Sequence, residues 1–146
     1  MNIFIHTFQI SVGHSKEQTT FGGTVEYMAP EIIRNQPYDG KVDVYSFGII
    51  MYQVIGKCVA YPLLENKKMQ MYQFQQKVAE ENYRPHFDVD FNASHKLKEL
   101  IEKCWSEKPE DRPIILLIIK NIQFMAFTQL KKKKMQQKMN SVINIF

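Results

Sequence analysis

Residues 41–56 read Lys41-Val42-Asp43-Val44-Tyr45-Ser46-Phe47-Gly48-Ile49-Ile50-Met51-Tyr52-Gln53-Val54-Ile55-Gly56. Wound at 3.6 residues per turn, Val42, Val44, Tyr45, Phe47, Ile49, Ile50, Met51, Val54 and Ile55 leave no polar face. A helix that is apolar all round is either a membrane span or the centre of a core. A span needs about 20 residues, and this stretch is shorter. Asp43 sits in its first turn, where a negative charge is favoured, and Gly56-Lys57 closes it. The stretch predicts a central, buried helix around which the rest of the chain packs.

Outward from that helix the chain alternates punctuation and short helical patterns. Upstream lie a turn at Pro37-Tyr38-Asp39-Gly40, a short apolar segment Glu31–Arg34 opened by Pro30, and a polar loop Gly13–Thr20 extended by Gly22-Gly23. Downstream of Pro62, a polar helix over about Asn66–Glu80 is predicted to turn Met69, Tyr72 and Val78 inward. A loop with Tyr83-Arg84-Pro85 follows. Ser94 then suits the N-cap of a helix striped by Leu97, Leu100, Ile101 and Cys104-Trp105. Pro113 suits the first position of a last helix, Ile114 to about Phe127. No convincing strand pair and no internal repeat occur, so the fold class expected is mainly α.

The 146 residues carry 19 basic and 15 acidic side chains, a net charge of +4, distributed unevenly. Lys131, Lys132, Lys133, Lys134 and Lys138 lie in a basic tail, residues 128–146, that holds no acid. Residues 1–127 keep 14 bases against 15 acids, which argues against a DNA-binding face on the fold. Cys58 and Cys104 have no metal-ligand spacing and read as free, buried thiols of a reducing compartment. The N-terminus lacks the basic start of a signal peptide. The apolar segment Ile114–Leu130 is interrupted by Lys120, Asn121, Gln123 and Gln129, and a lysine at a bilayer centre costs about 2.5–3.5 kcal/mol. The expectation is therefore a cytoplasmic protein without a transmembrane segment.

Gly23-Thr24-Val25-Glu26-Tyr27-Met28-Ala29-Pro30-Glu31 resembles the end of a protein-kinase activation segment. Asp43-Val44-Tyr45-Ser46-Phe47-Gly48 resembles the start of the central helix of the kinase large lobe. Cys104-Trp105 and Asp111-Arg112-Pro113 resemble the later landmarks, in the family's order. The resemblance covers about residues 16–127. Thr24, Tyr83-Arg84-Pro85 and Cys104-Trp105 look most like the tyrosine-kinase-like group of Ser/Thr kinases.

The resemblance implies the helical large-lobe (C-lobe) portion of the protein-kinase fold, without small lobe or catalytic loop. It implies three parts: a degenerate or partial activation segment (1–20), the helical subdomain (21–127) and the basic tail (128–146). Gly23, Thr24, Val25, Glu26, Tyr27 and Met28 would form the substrate-docking loop, with Ala29, Pro30, Glu31, Asp43, Gly48, Trp105 and Arg112 structural. Glu31 and Arg112 would pair, the guanidinium fork taking the carboxylate bidentately. Thr24 in Ser/Thr relatives touches the catalytic Asp and Lys. Asp43 in the family accepts backbone hydrogen bonds from the catalytic loop. Here, where that loop is absent, the expected role is only that of a charge at a helix N-terminus. Trp105 reads as a core filler.

Phosphoryl transfer in this family needs a Gly-rich loop, a strand lysine, a catalytic Asp after His-Arg, and a metal-binding Asp. Residues 1–146 contain no Gly-x-Gly-x-x-Gly, no His-Arg-Asp and no Asp-Phe-Gly. Ile5-His6-Thr7-Phe8-Gln9-Ile10-Ser11 keeps the shape of the last of these, with Thr7 in place of the metal-binding Asp, or matches it by chance. A neutral hydroxyl is a poor Mg²⁺ ligand. Ser15, Thr19 and Thr20 would then occupy activation-loop phosphosite positions. The expectation is a pseudokinase-like interaction module, with no ATP or Mg in this chain although the intact family uses both. A truncated gene model of an active Ser/Thr kinase, or a helical scaffold whose tail contacts anionic membrane or RNA, are the alternatives. Part of the all-apolar helix should be left uncovered, a site for a protein partner or for self-association.

Overall fold

The computed structural model describes residues 25–143. It is mainly helical, and no strand occurs among the described residues. The elements are α1 (Pro30–Ile33), α2 (Lys41–Gly56), α3 (Pro62–Glu65), α4 (Met71–Glu80), α5 (His95–Cys104) and α6 (Ile115–Ile143), with 3-10 turns at Val25–Tyr27 and Pro109–Asp111.

The all-apolar stretch forms α2 and lies at the centre. Val44, Tyr45, Ile49, Met51 and Tyr52 are buried, facing Leu100, Ile101, Cys104 and Trp105 of α5 and its end. The two helices cross at Gly48, where a Cβ would come within 2.8 Å of the Cys104 Cβ. A hydrogen in place of a side chain is what lets the backbones approach. Asp39 Oδ1 accepts the Lys41 N–H at 2.9 Å and starts the helix. At the other end Lys57, not Gly56, takes the left-handed conformation (φ 51°). Gly56 is small for another reason: a Cβ there would lie 2.4 Å from the Phe91 ring.

Aromatic side chains fill the space beside α2. Tyr52 stacks on Phe91 at 4.9 Å, and Phe87 stacks on Trp105 at 5.7 Å. Tyr61 meets Phe74 edge-on at 4.7 Å. Such pairs contribute about 0.5–1.5 kcal/mol beyond their burial. Trp105 is buried among them.

Three sequence expectations need correction. The helix expected over Asn66–Glu80 is broken: α3 ends at Glu65, Lys67 turns through the left-handed region, and α4 starts at Met71. Gln73 Oε1 caps it by accepting the Gln70 N–H at 3.1 Å. With the later start Phe74, Val78 and Ala79 face the core, while Tyr72 is 65% exposed. Ser94 takes the N-cap position of α5, but its hydroxyl makes no capping bond; its carbonyl accepts the Leu97 and Lys98 N–H groups. Finally, α6 starts at Ile115 and runs 29 residues, well past Phe127. Leu, Met, Gln and Lys all favour helix, and no Gly or Pro follows Pro113 to stop it.

Candidate substrate-docking platform

The residues between the 3-10 turn and α1 are held from three sides. Ser46 Oγ, in the first half of α2, donates to the Tyr27 carbonyl at 2.8 Å. The Tyr27 hydroxyl donates to Gln53 Oε1, two turns further along the same helix, at 2.8 Å. The Met28 N–H closes the turn on the Val25 carbonyl at 3.1 Å. Ala29 and Pro30 are buried, and the Ala29 carbonyl accepts from Ile32 and Ile33 to start α1. Segment 25–30 is thereby anchored to the most buried helix of the fold.

Glu31 follows at once, buried, and its carboxylate meets Arg112 through two bonds of 2.6 and 2.9 Å. The remaining Arg112 N–H groups go to the carbonyls of Ser106 (2.9 Å), Lys41 (3.1 Å) and Glu107 (3.2 Å). All five donors are satisfied, so neither charge is stranded in the interior. The Lys41 ammonium donates in turn to the Arg112 carbonyl. One arginine therefore ties α1 to the start of α2 and to the loop after α5.

A second tie, unseen in the sequence, runs beside it. Glu107 receives Arg84 at 2.8 Å and Arg34 at 2.5 Å, one on each oxygen. Arg84 also donates to the carbonyls of Trp105, Val78 and Tyr83. Arg34 donates to the Ala79 carbonyl and lies 3.5 Å from Glu80. The guanidinium groups of Arg84 and Arg112 each lie 5.1 Å from the Tyr45 ring centre, a cation–π contact for both. The Tyr45 and Tyr61 hydroxyls are buried without a hydrogen-bond partner of good geometry. Burial pushes both phenols above their ordinary range.

On the platform itself Glu26 is partly buried, and burial followed by the nearby Glu65 raises its carboxyl pKa. Burial also raises the Tyr27 phenol, against the opposing effect of its bond to Gln53. Asp43 sits in the first turn of α2, half-exposed, with no cation at salt-bridge distance among the described residues. Cys104 is buried as expected, and burial pushes its thiol up to about 12; Cys58, expected to be buried too, is exposed, because it lies just past the end of α2. Gly23, Thr24, Ser15, Thr19, Thr20 and the Thr7-Phe8-Gln9 triplet lie outside the described residues.

Among the described residues no three His, Cys, Asp or Glu side chains converge to hold a cation. The groove of about 390 Å³ beside Arg84, Trp105 and Lys108 is lined by an arginine already committed to Glu107.

A family model described as protein kinase domain matches residues 7–140. The chain belongs to the protein kinase family. Among curated relatives of this kinase chain, "Dual specificity protein kinase zak2" of Dictyostelium discoideum is 35% identical over 106 residues, 73% of this chain and 16% of the relative. "Serine/threonine/tyrosine-protein kinase HT1" of Arabidopsis thaliana is 42% identical over 91 residues, 62% of this chain and 22% of the relative. "Putative mitogen-activated protein kinase kinase kinase 7-like" of Drosophila melanogaster is 34% identical over 106 residues, 73% of this chain and 27% of the relative. The kinase chain thus spans between 16% and 27% of the length of these relatives, and its helices belong to the kinase large lobe.

Proposed function

We propose that residues 25–113 act as the substrate-docking and scaffolding half of a Ser/Thr-lineage kinase large lobe, and that residues 1–146 alone transfer no phosphate. The observation that carries this reading is the double anchoring of segment 25–31, to α2 through Ser46 and Gln53 and to Arg112 through Glu31. A docking loop must hold its backbone still while a peptide lies on it, because a loosely held surface gives up binding energy to ordering. Val25 to Met28 are half-buried, so parts of this segment remain open to a ligand. Phosphoryl transfer itself depends on positioned nucleotide and metal ligands, and residues 1–146 contain no Gly-x-Gly-x-x-Gly, His-Arg-Asp or Asp-Phe-Gly to supply them in the family's manner.

A second reading has support from the relatives' printed names, a dual specificity protein kinase and a serine/threonine/tyrosine-protein kinase. Joined to segments carrying those ligands, the same platform would seat a substrate hydroxyl for ATP-dependent transfer. The first reading is tested on the chain by itself. The purified chain is mixed with Mg·ATP and followed by thermal shift and by phosphate incorporation into generic protein substrates. No shift and no incorporation is the expected result. Incorporation that co-elutes with the chain through successive purification steps overturns it.

A further inference from the structure

We propose that the outer face of α6 lies along an anionic lipid bilayer. The helix meets the body on one side only, through the fully buried Ile118 and the partly buried Met125, seven residues and two turns later. At 100° per residue, Leu116, Ile119, Phe124, Phe127 and Leu130 all fall within about 80° of the direction opposite Ile118. Their exposures run from 45% to 63%. The outer side is therefore mostly apolar, with the exposed Lys120 and Gln123 set among those residues.

Charge identifies the occupant. No Asp or Glu follows Asp111, whereas Lys120, Lys131, Lys132, Lys133, Lys134 and Lys138 do. Lysine clusters of this size are what anionic membrane surfaces attract, and apolar side chains beside them bury in the interfacial layer. Lys131 already carries its ammonium 4.5 Å from the Phe127 ring centre, so apolar contact and charge sit side by side. A second copy of the chain fits less well, since parallel pairing of α6 would set the four-lysine run beside itself. RNA would use the lysines but has no use for the aliphatic face. The helix lies along the surface and does not cross it. A stretch of α6 is long and apolar enough to span by composition, but Ile118 is held inside the body and Lys120 faces outward.

The test is flotation of the full chain with vesicles of phosphatidylcholine, alone and mixed with phosphatidylserine. Binding should need the anionic lipid and should collapse as salt rises from about 0.1 M to about 1 M, where screening shortens to about 3 Å. Replacing Lys131, Lys132, Lys133 and Lys134 by Gln should weaken it by roughly fivefold per lysine. Phe127→Trp, a change the exposed site tolerates, should shift its emission to the blue on anionic vesicles. Equal binding to both vesicle types, indifference to the lysine changes, or an unshifted emission each overturns the proposal. So does tighter binding to single-stranded RNA than to anionic vesicles.

Discussion

Arg112 spends every donor of its guanidinium on the interior, two of them on Glu31, 81 residues upstream. A buried pair of this kind contributes little over a well-packed apolar pair, yet removing one partner strands the other. Arg112→Met should therefore destabilise the chain by about 3–5 kcal/mol. The double variant Glu31→Leu with Arg112→Met should recover part of that loss. Urea unfolding of the single and double variants measures both, and equal stability of Arg112→Met and the parent chain would contradict the description.

The crossing of α2 and α5 gives a paired test. Gly48→Ala puts a Cβ at 2.8 Å from the Cys104 Cβ, against backbone-fixed atoms that cannot swing away. Overpacking of this sort costs about 1–3 kcal/mol. Gly40→Ala, with nothing within 4 Å of the new Cβ, serves as the control and should stay within about 0.5 kcal/mol. Thermal melts of the two variants should rank them in that order.

Thiol chemistry should separate the two cysteines. Cys58 is exposed and should react with a disulfide reagent near pH 8. Cys104, buried and raised to about 12, should react only after unfolding. The count should rise from one thiol per chain to two on adding denaturant.

The same raised groups set the alkaline limit. Burial holds the Cys104 thiol up to about 12 in the folded chain, and it raises the phenols of Tyr45, Tyr52 and Tyr61 as well. As pH rises through the ordinary thiol range near about 8.5 and then the phenol range near about 10, the unfolded chain loses protons that the folded chain retains, so stability falls. Below about pH 7.5 these groups are protonated in both states and add no pH dependence. Denaturation midpoints should be flat in this respect up to about pH 7.5 and drop beyond it, by up to about 1.4 kcal/mol per pH unit for each group held protonated.

Ile50 and Val54 share one face of α2 and are 44% and 68% exposed. A hydrophobic dye should bind the native chain there as well as on the outer face of α6, and the chain should self-associate. Ile50→Gln with Val54→Gln should reduce dye fluorescence while shifting stability by less than about 0.5 kcal/mol per site. Unchanged fluorescence in the double variant would place the dye elsewhere.

Much of the fold was legible before any coordinates. The all-apolar run at Val42–Ile55 located the central helix, although one face of it, at Ile50 and Val54, is left uncovered. Tyr72 was misplaced since short amphipathic helices take their phase from where they start, and the Lys67 turn that resets the start has no strong residue signature. The extension of α6 was missed because a change from apolar to basic composition reads as a boundary, whereas the backbone responds to helix propensity alone. At the candidate site, segment 25–28 and the Glu31–Arg112 pair were legible through motifs. The Arg34–Glu107–Arg84 tie was not. Its members lie 73 and 23 residues apart, and ordinary surface-type charges at such separations leave no local pattern to read.

The separation between Glu31 and Arg112 also bears on how the chain is made. At about 5–20 residues per second, the ribosome adds Arg112 about 4–16 s after Glu31. Through that interval the carboxylate has no guanidinium to meet, and α1 cannot lock onto the loop after α5. The nascent chain must therefore keep α1 and its neighbours solvated or shielded until nearly the whole helical body has emerged. Folding of this lobe is completed from its C-terminal side, whatever order its helices form in.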